Sequence, residues 1–507
     1  MNVHLTTLLF LYVDFHIEAA QILGVFPFPA HSHFQLGDRI VKELVSRGHN
    51  VTVISPYKEK LPIQNFNQVI VDNVFEKAAE MKKGLLGHTG YNFLRRITFL
   101  DNLGLTYTEL ALNSTNVKNF LKERNHFDLV IIQHFKSDAY NGFCHRYKAP
   151  CIAVSPLPVP SWFSNKVGLS APSSYVPQLT VSYGSKMDFV QRSFNSFVSL
   201  LEEISHRFYL YPAHNRLLQT YFPGAPHLDD LYQNTSLILY NGHVSVSEVC
   251  PNMPNTIDIA GYHVATPKGL PDDLKKCLDN ATDGAIYFSM GSNLKSSNFP
   301  SDLRNTMLDA FAQLKQKVLW KFEDDLVDQP DNVLIRPWFP QQEILAHPNV
   351  ILFITHGGLL STIESVYFGK PILGLPVFSD QGLNSARAED AGYGRFIPFG
   401  KVSGENFREI LNEMIQNPRY MSNAKARSRI MHDQPLPPME RAIFWIEYVL
   451  RHRGAPHLKS PALSLNWFQY FLLDAILAFA VCCWLTVFAL RRLLQHFNFT
   501  TKKLEES

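Results

Sequence analysis

FITHGGLLSTIESVYFGKPILGLPVFSDQ, residues 353–381, decides the fold. An apolar run, Val350 to Ile354, ends in Thr355-His356-Gly357-Gly358. A helical segment carrying Glu364 follows. A second apolar run, Pro371 to Pro376, then leads to Asp380-Gln381. The pattern is strand, glycine turn, helix, strand, with polar groups at the carboxyl ends of both strands. In an open α/β sheet, ligands bind at those ends. Glycine permits close backbone approach. The helix that follows offers free N–H groups and a partial positive charge, which is a seat for a diphosphate. His356 can add a donor there, and Ser292, after an earlier strand, another. Glu364 is placed to accept hydrogen bonds from ribose hydroxyls, and Asp380 and Gln381 to pair with hydroxyls of a sugar. Trp338 offers a flat face to a base, with Gln341 just after it. Each feature alone is common in cores, turns and helix faces; their joint order points to a nucleotide-type ligand.

Further apolar runs extend the alternation. Ala285 to Ser289, Val318 to Phe322, Val333 to Ile335 and Ile372 to Leu375 are expected strands, with helices between them. Upstream, Ile22 to Phe26 is a strand followed by a proline-rich loop carrying His31-Ser32-His33. Phe34 to Ser46 has Leu36, Ile40, Val41, Leu44 and Val45 at helical spacing, and Gly48 ends it. Val51 to Ile54, Leu129 to Ile132 and Cys151 to Val154 are continuous apolar runs, as buried parallel strands are. Strands alternating with helices predict parallel sheets. The expected architecture is α/β: two doubly wound, Rossmann-like domains facing a cleft. Residues 21–265 form the first, 266–282 a linker and 283–455 the second.

Composition adds exclusions. The 507 residues carry a net charge of +2, so no strongly basic surface argues for nucleic acid. No Cys/His cluster has zinc spacing. Cys144, Cys151, Cys250 and Cys277 leave one or two disulfides open. Residues 1–20 read as a secretory leader, with an apolar Leu5 to Val13 run and small residues near Ala20; a buried first strand is the other reading. Residues 463–490 hold one charge, Asp474, over more than the ~20 residues that span a bilayer. Arg491-Arg492 and Lys502-Lys503 follow, so residues 491–507 are an expected cytoplasmic tail. The body is then lumenal, in a single-pass type I protein of the endoplasmic reticulum membrane. Asn113, Asn234 and Asn280 begin glycosylation sequons on that side.

Seen whole, Phe353 to Gln381 resembles the signature of the UDP-glycosyltransferase family, which includes the glucuronosyltransferases. Phe353, Thr355, His356, Gly358, Ser361, Glu364, Pro371, Pro376, Asp380 and Gln381 fall in register with it. VFPFPAHSHF, RGHNVTVISP, YFSMGS, RPWFPQQEILAHPN and AIFWIEYVLRHRGAPHLKS extend the likeness, especially to insect members, over nearly the whole chain. The resemblance implies a GT-B fold, with the acceptor in the first domain and the UDP-sugar in the second. It places Trp338 and Gln341 at uracil and Glu364 at ribose. Ser292 and His356, Gly357 and Gly358 fall at the phosphates, with Asp380 and Gln381 at the sugar and Asn384 near the donor. The family has Asn where this chain has Leu360.

Glycosyl transfer needs a base for the acceptor proton, and histidine serves near neutral pH. His33 matches the family's catalytic histidine; His31 is two residues early. A carboxylate ordinarily orients such a histidine and stabilises its imidazolium. The family's acid falls at Gln133, which supplies no charge, so Asp138, five residues on, is the expected substitute. No Asp-x-Asp motif follows a strand in the donor half, so neither a metal nor another cofactor is expected. The expected reaction is a one-step inverting transfer, α to β, from a UDP-sugar, with glucose favoured. The acceptor is a small lipophilic alcohol, phenol or acid, reacting through a hydroxyl or similar group and seated among residues 60–225, as in detoxification or hormone and pigment conjugation. A homo-oligomer is allowed. The rival is a catalytically impaired membrane-anchored binding protein for UDP-sugar or lipophilic ligands. A nucleotide-dependent dehydrogenase is disfavoured because no GxGxxG follows a strand.

Overall fold

The computed structural model describes residues 19–82, 87, 92–158, 161–184, 186–326 and 329–505. Most of the expected leader, residues 1–18, lies outside them. Within residues 1–458 the strands form two all-parallel sheets. The first holds β1 (Gln21–Val25), β2 (Asn50–Ser55), β3 (Phe66–Ile70), β4 (Leu129–Gln133), β5 (Cys151–Ser155), β6 (Thr235–Tyr240) and β7 (Thr256–Asp258), in the order β3-β2-β1-β4-β5-β6-β7. The second holds β8 (Ala285–Ser289), β9 (Lys317–Lys321), β10 (Val333–Arg336), β11 (Val350–Thr355), β12 (Ile372–Gly374) and β13 (Gly394–Phe396), in the order β10-β9-β8-β11-β12-β13. Strand order reverses between β1 and β4 and again between β8 and β11. A crevice opens at each reversal, outside the carboxyl ends of the strands.

The central strands are the apolar runs read from sequence. Every residue of β4, β5 and β8 is buried, because helices cover both faces of a parallel sheet. The strands with no expected counterpart are β3, β6, β7 and β13. Three of these, β3, β7 and β13, lie at sheet edges, where half-burial weakens the apolar pattern.

The first helix runs His31–Ser46, starting before the expected Phe34. The carbonyl of Ala30 accepts from the N–H of both His33 and Phe34, so both histidines join the first helical turn instead of a loop. Leu36, Ile40, Val41 and Leu44 form its buried stripe, packed with Ile22 and Val51 of the sheet. The helix Pro438–Arg451 also packs on this first sheet: Ala442, Ile443, Ile446 and Val449 share that core. Cys144 and Cys151 are bridged, and Cys250 and Cys277 are free. Asn113, Asn234 and Asn280 are exposed.

Residues 459–507 form a separate compact unit. The helix there begins at Leu473, later than the expected 463. A short turn at Trp467–Tyr470, capped reciprocally by Asn466 and Gln469, precedes it. Leu472 adopts a left-handed φ of 55° and breaks the run. From Leu473 to His496, 24 residues with an 18-residue stretch of mean hydropathy 2.3 form one helix long and apolar enough to cross a membrane.

Candidate active site

Both crevices open into a single cavity of about 560 Å³. One wall comes from residues after β1 and β4, the other from residues after β8, β9, β10, β11 and β12. Contacts across the gap hold the walls together. Phe99 meets Phe378 edge-on at 6.4 Å. The N–H of Ala265 donates to Gln342 Oε1 at 3.0 Å. Arg387 forms a two-point ion pair with Glu248, and both are nearly buried.

On the second wall, the glycine turn does two jobs. Gly357 has φ +80°, a left-handed conformation that disfavours other residues. A Cβ on Gly358 would sit 2.4 Å from His356 Nε2, and one on Gly291 2.6 Å from His356 Cε1. Gly291 and Gly358 therefore make room for the His356 ring. Burial and the nearby Lys321 charge push His356 down to about 4, so the ring is neutral and offers one N–H. The helix Leu359–Tyr367 starts at Gly358 with no side-chain cap, leaving its first N–H groups open. Ser292 and Lys321 also line the cavity, the Lys321 ammonium paired with Glu323 at 2.6 Å. Leu360 also lines it, presenting an apolar side chain there.

Glu364, in that helix, is buried and accepts from Gln341 Nε2 at 2.6 Å and Gln342 Nε2 at 2.8 Å. The fully buried His263 lies 3.5 Å away. Burial raises the Glu364 carboxyl, but His263 and the two amides outweigh it and hold it below its ordinary value. Gln341, expected at a base, is thus turned onto Glu364 and Ser361, whose hydroxyl it also reaches at 3.2 Å. Trp338 stands on the cavity wall 62% exposed, with His31 edge-on to its ring at 6.3 Å and the Lys321 ammonium 5.9 Å from it. Asp380 is half-buried, desolvation raises its carboxyl, and Asn384 donates to it at 2.7 Å. Asn384 is not on the cavity wall; it also donates to the Gly357 carbonyl at 3.0 Å and ties Asp380 to the glycine turn. Gln381 spends its amide oxygen on the N–H groups of Val377 and Phe378 at 2.8 and 3.1 Å. Its amide nitrogen is what remains for a ligand.

On the first wall, His33 stacks on Phe28 at 4.3 Å and meets Phe135 edge-on at 4.9 Å. Gln133, the last residue of β4, places Nε2 3.0 Å from His33 Nδ1. With the amide nitrogen donating, Nδ1 accepts and the ring proton sits on Nε2; with the amide turned, Oε1 accepts from Nδ1–H and Nε2 is bare. Burial pushes His33 down to about 3. Around it the lining is apolar: Met81, Phe99, Leu100, Leu103 and Tyr107.

Asp138 does not stand in for the missing acid. Its carboxylate is buried within the first domain, where Oδ1 takes His134 Nε2 at 3.1 Å and the Tyr232 hydroxyl, and Oδ2 takes His206 Nε2 at 3.3 Å. Burial raises this carboxyl, but the two imidazoles override it and hold it well below its ordinary value. The turn after β4 takes Asp138 off the cavity wall that His33 lines, and the three partners use both oxygens. Sequence reasoning missed His263, Gln342 and Lys321. Lys321 ends an apolar strand, and that position is a usable signal. His263 and Gln342 carry none, because they reach Glu364 only through the tertiary fold.

The family described as UDP-glucoronosyl and UDP-glucosyl transferase matches residues 22–505. A UDP-glycosyltransferase, UGT5, of Dactylopius coccus is 35% identical over 462 residues, covering 90% of this chain and 88% of that protein. UDP-glucosyltransferase 2 of the same insect is 33% identical, covering 96% and 95%. The 2-hydroxyacylsphingosine 1-beta-galactosyltransferase of Mus musculus is 28% identical, covering 94% and 90%. In fold, the chain is similar to the crystal structure of the calicheamicin glycosyltransferase CalG4 with TM-score 0.60 at 16% identity, over 86% of this chain and 99% of that one.

Proposed function

We propose a specific reaction for this chain, which belongs to the UDP-glucoronosyl and UDP-glucosyl transferase family, has the GT-B fold and is a UDP-glycosyltransferase: inverting transfer of a sugar, glucose first among candidates, from a UDP-sugar to a small lipophilic acceptor. The observation that carries it is the single cavity with a diphosphate-type turn and buried Glu364 on one wall and His33 on the other. The second wall seats the donor. Trp338 covers uracil, Glu364 accepts from ribose hydroxyls, and the turn at His356 to Gly358, the open helix end, Ser292 and Lys321 meet the diphosphate charge. Asp380 and the Gln381 amide nitrogen face the sugar. That positive arrangement supports loss of UDP by electrostatic stabilisation, with no metal invoked. His33 faces the acceptor and, with the Gln133 amide turned so that Oε1 accepts from Nδ1–H, takes its proton at Nε2. With His33 as the one base, the reaction is a single displacement at the anomeric carbon, parallel to that of inverting glycosidases. Glucose is favoured because a relative matched over 96% of this chain is named a UDP-glucosyltransferase.

The same reading places the body in the lumen of the endoplasmic reticulum, held by the helix from Leu473. Its supports are the Cys144–Cys151 bridge, which suits an oxidising compartment, the exposed sequons, and Arg491-Arg492 at the far end of the apolar stretch. The test is incubation of the full chain with UDP-glucose, UDP-glucuronate and UDP-galactose over a phenol and alcohol panel, read as glycoside by mass. The β-glycoside of at least one acceptor is expected, formed more slowly by His33→Ala. Tight UDP binding with no glycoside from any pairing overturns it and favours the binding-protein reading, which rests on Gln133 meeting His33 without a charge.

A further inference from the structure

The acceptor-side histidine has a neutral partner, and that changes which acceptors can react. In taking a proton from an alcohol, an imidazole becomes a cation. A carboxylate on its other nitrogen stabilises that cation and holds the tautomer with Nε2 bare. Here Gln133 Nε2 lies 3.0 Å from Nδ1, which puts the ring proton on Nε2. His33 then presents an N–H to the cleft in place of a lone pair. Turning the amide to offer Oε1 restores the lone pair but adds no charge. Phe28 covers one face of the ring and Phe135 packs edge-on against it, which limits the solvent that can stabilise an imidazolium. Asp138, the carboxylate expected to stand in, is committed to His134, His206 and Tyr232.

The same wall favours a negative oxygen. The helix His31–Ser46 begins beside the cavity with Ala30 as its cap residue, so no side chain satisfies its first N–H groups, and no acidic residue lies in its first turn. Open N–H groups at a helix start carry partial positive charge. The Nε2–H of His33, in that first turn, adds a donor.

We infer that the site conjugates acceptors that arrive already ionised or nearly so, carboxylates and acidic phenols, and leaves aliphatic alcohols largely unreacted, because Gln133 puts a neutral amide where the acceptor-facing imidazole needs a negative charge. This rests on the transferase reading above. With a carboxylate acceptor, an oxygen lone pair forms the bond to the anomeric carbon. The bond from that carbon to the diphosphate oxygen breaks, and its electron pair leaves with UDP. No proton moves. An alcohol must also lose its proton to His33, and that step lacks support.

The test compares kcat/KM of the full chain across substituted phenols from 4-nitrophenol to 4-methoxyphenol, an arylcarboxylic acid and a lipophilic primary alcohol, all with one UDP-sugar. The wild type is expected to favour 4-nitrophenol over the alcohol by at least ~100-fold, the scale of general base catalysis. In Gln133→Glu, an isosteric change, a carboxylate oxygen takes the place of Nε2 and accepts from Nδ1. Its ratio is expected to narrow to within ~10-fold, chiefly by a faster alcohol reaction. A wild type that conjugates the alcohol within ~10-fold of 4-nitrophenol overturns the inference and leaves the transferase reading standing. So does a folded Gln133→Glu with an unchanged ratio. If that variant fails to fold, the wild-type series decides alone. No glycoside from any acceptor with either protein overturns both readings.

Discussion

Glu364→Gln tests the donor wall at its most constrained point. The carboxylate accepts from Gln341 at 2.6 Å and from Gln342 at 2.8 Å. A carboxylate has about four acceptor positions, so two remain for the two hydroxyls of a ribose. The amide has acceptor positions on one oxygen only, and its NH2 group faces the NH2 of Gln341 or Gln342, donor against donor. One ribose hydrogen bond to a charged group is lost, at about 2 kcal/mol, and the other falls from charged to neutral strength, about 1 kcal/mol. The sum, about 3 kcal/mol, is a loss of roughly a hundredfold in UDP affinity. Isothermal titration of UDP against wild type and variant reads it, with 2′-deoxy-UDP as the second arm of a cycle. The wild type is expected to bind 2′-deoxy-UDP ~10-fold more weakly than UDP, and the variant to show little further loss. A folded Glu364→Gln with wild-type UDP affinity, or a deoxy penalty of equal size in both proteins, refutes a ribose role for Glu364.

Other outcomes follow from named contacts. Gly358 has an ordinary φ of −64°, so Gly358→Ala strains only the His356 ring beside it; thermal stability is expected to hold while UDP affinity drops ~10-fold as that ring is displaced. Asp138→Asn breaks a buried set of three partners and is expected to destabilise by about 3 kcal/mol in urea unfolding at neutral pH. Because the folded carboxyl lies below its ordinary value, its stabilisation is present above about pH 4 and fades as pH falls below that; the gap between wild type and variant should close there. His33, at about 3, and His356, at about 4, stay neutral in the fold while unfolded histidines take up protons below about pH 6.5. Stability is therefore expected to fall from pH 6.5 toward 4, and His33→Phe to flatten that slope in the same unfolding series. Arg387→Met leaves Glu248 buried and unpaired, with an expected loss of about 3–5 kcal/mol.

Much of this molecule is legible without coordinates. The run from Val350 to Gln381 reads correctly as strand, turn, helix and strand, because a buried parallel strand must be continuously apolar and a tight turn must admit glycine. His356, Gly358, Ser361, Glu364, Asp380 and Gln381 all reach one cavity for the same reason: they follow strand ends, and parallel topology gathers those ends. The division of labour within the site was less legible. Gln341 turns to Glu364, Asn384 braces the glycine turn from behind, and Gln381 spends its oxygen on a loop. Side-chain hydrogen bonds depend on angles that periodicity does not encode.

The acceptor wall marks the boundary most clearly. Sequence alone established a histidine at position 33, a glutamine ending β4 at 133 and an acid at 138, and it made the last a candidate to replace a missing charge. Chain proximity argued for it, since Asp138 lies only five residues past Gln133. Only the tertiary structure decided the matter. Parallel pairing of β1 with β4 brings residues 100 apart into contact at Gln133 and His33. The turn after β4 carries Asp138 into a separate buried cluster supplied by residues 134, 206 and 232. Local pattern dictates which segments become strands and helices; which polar groups meet depends on burial, where each charge must find partners wherever the packed chain provides them.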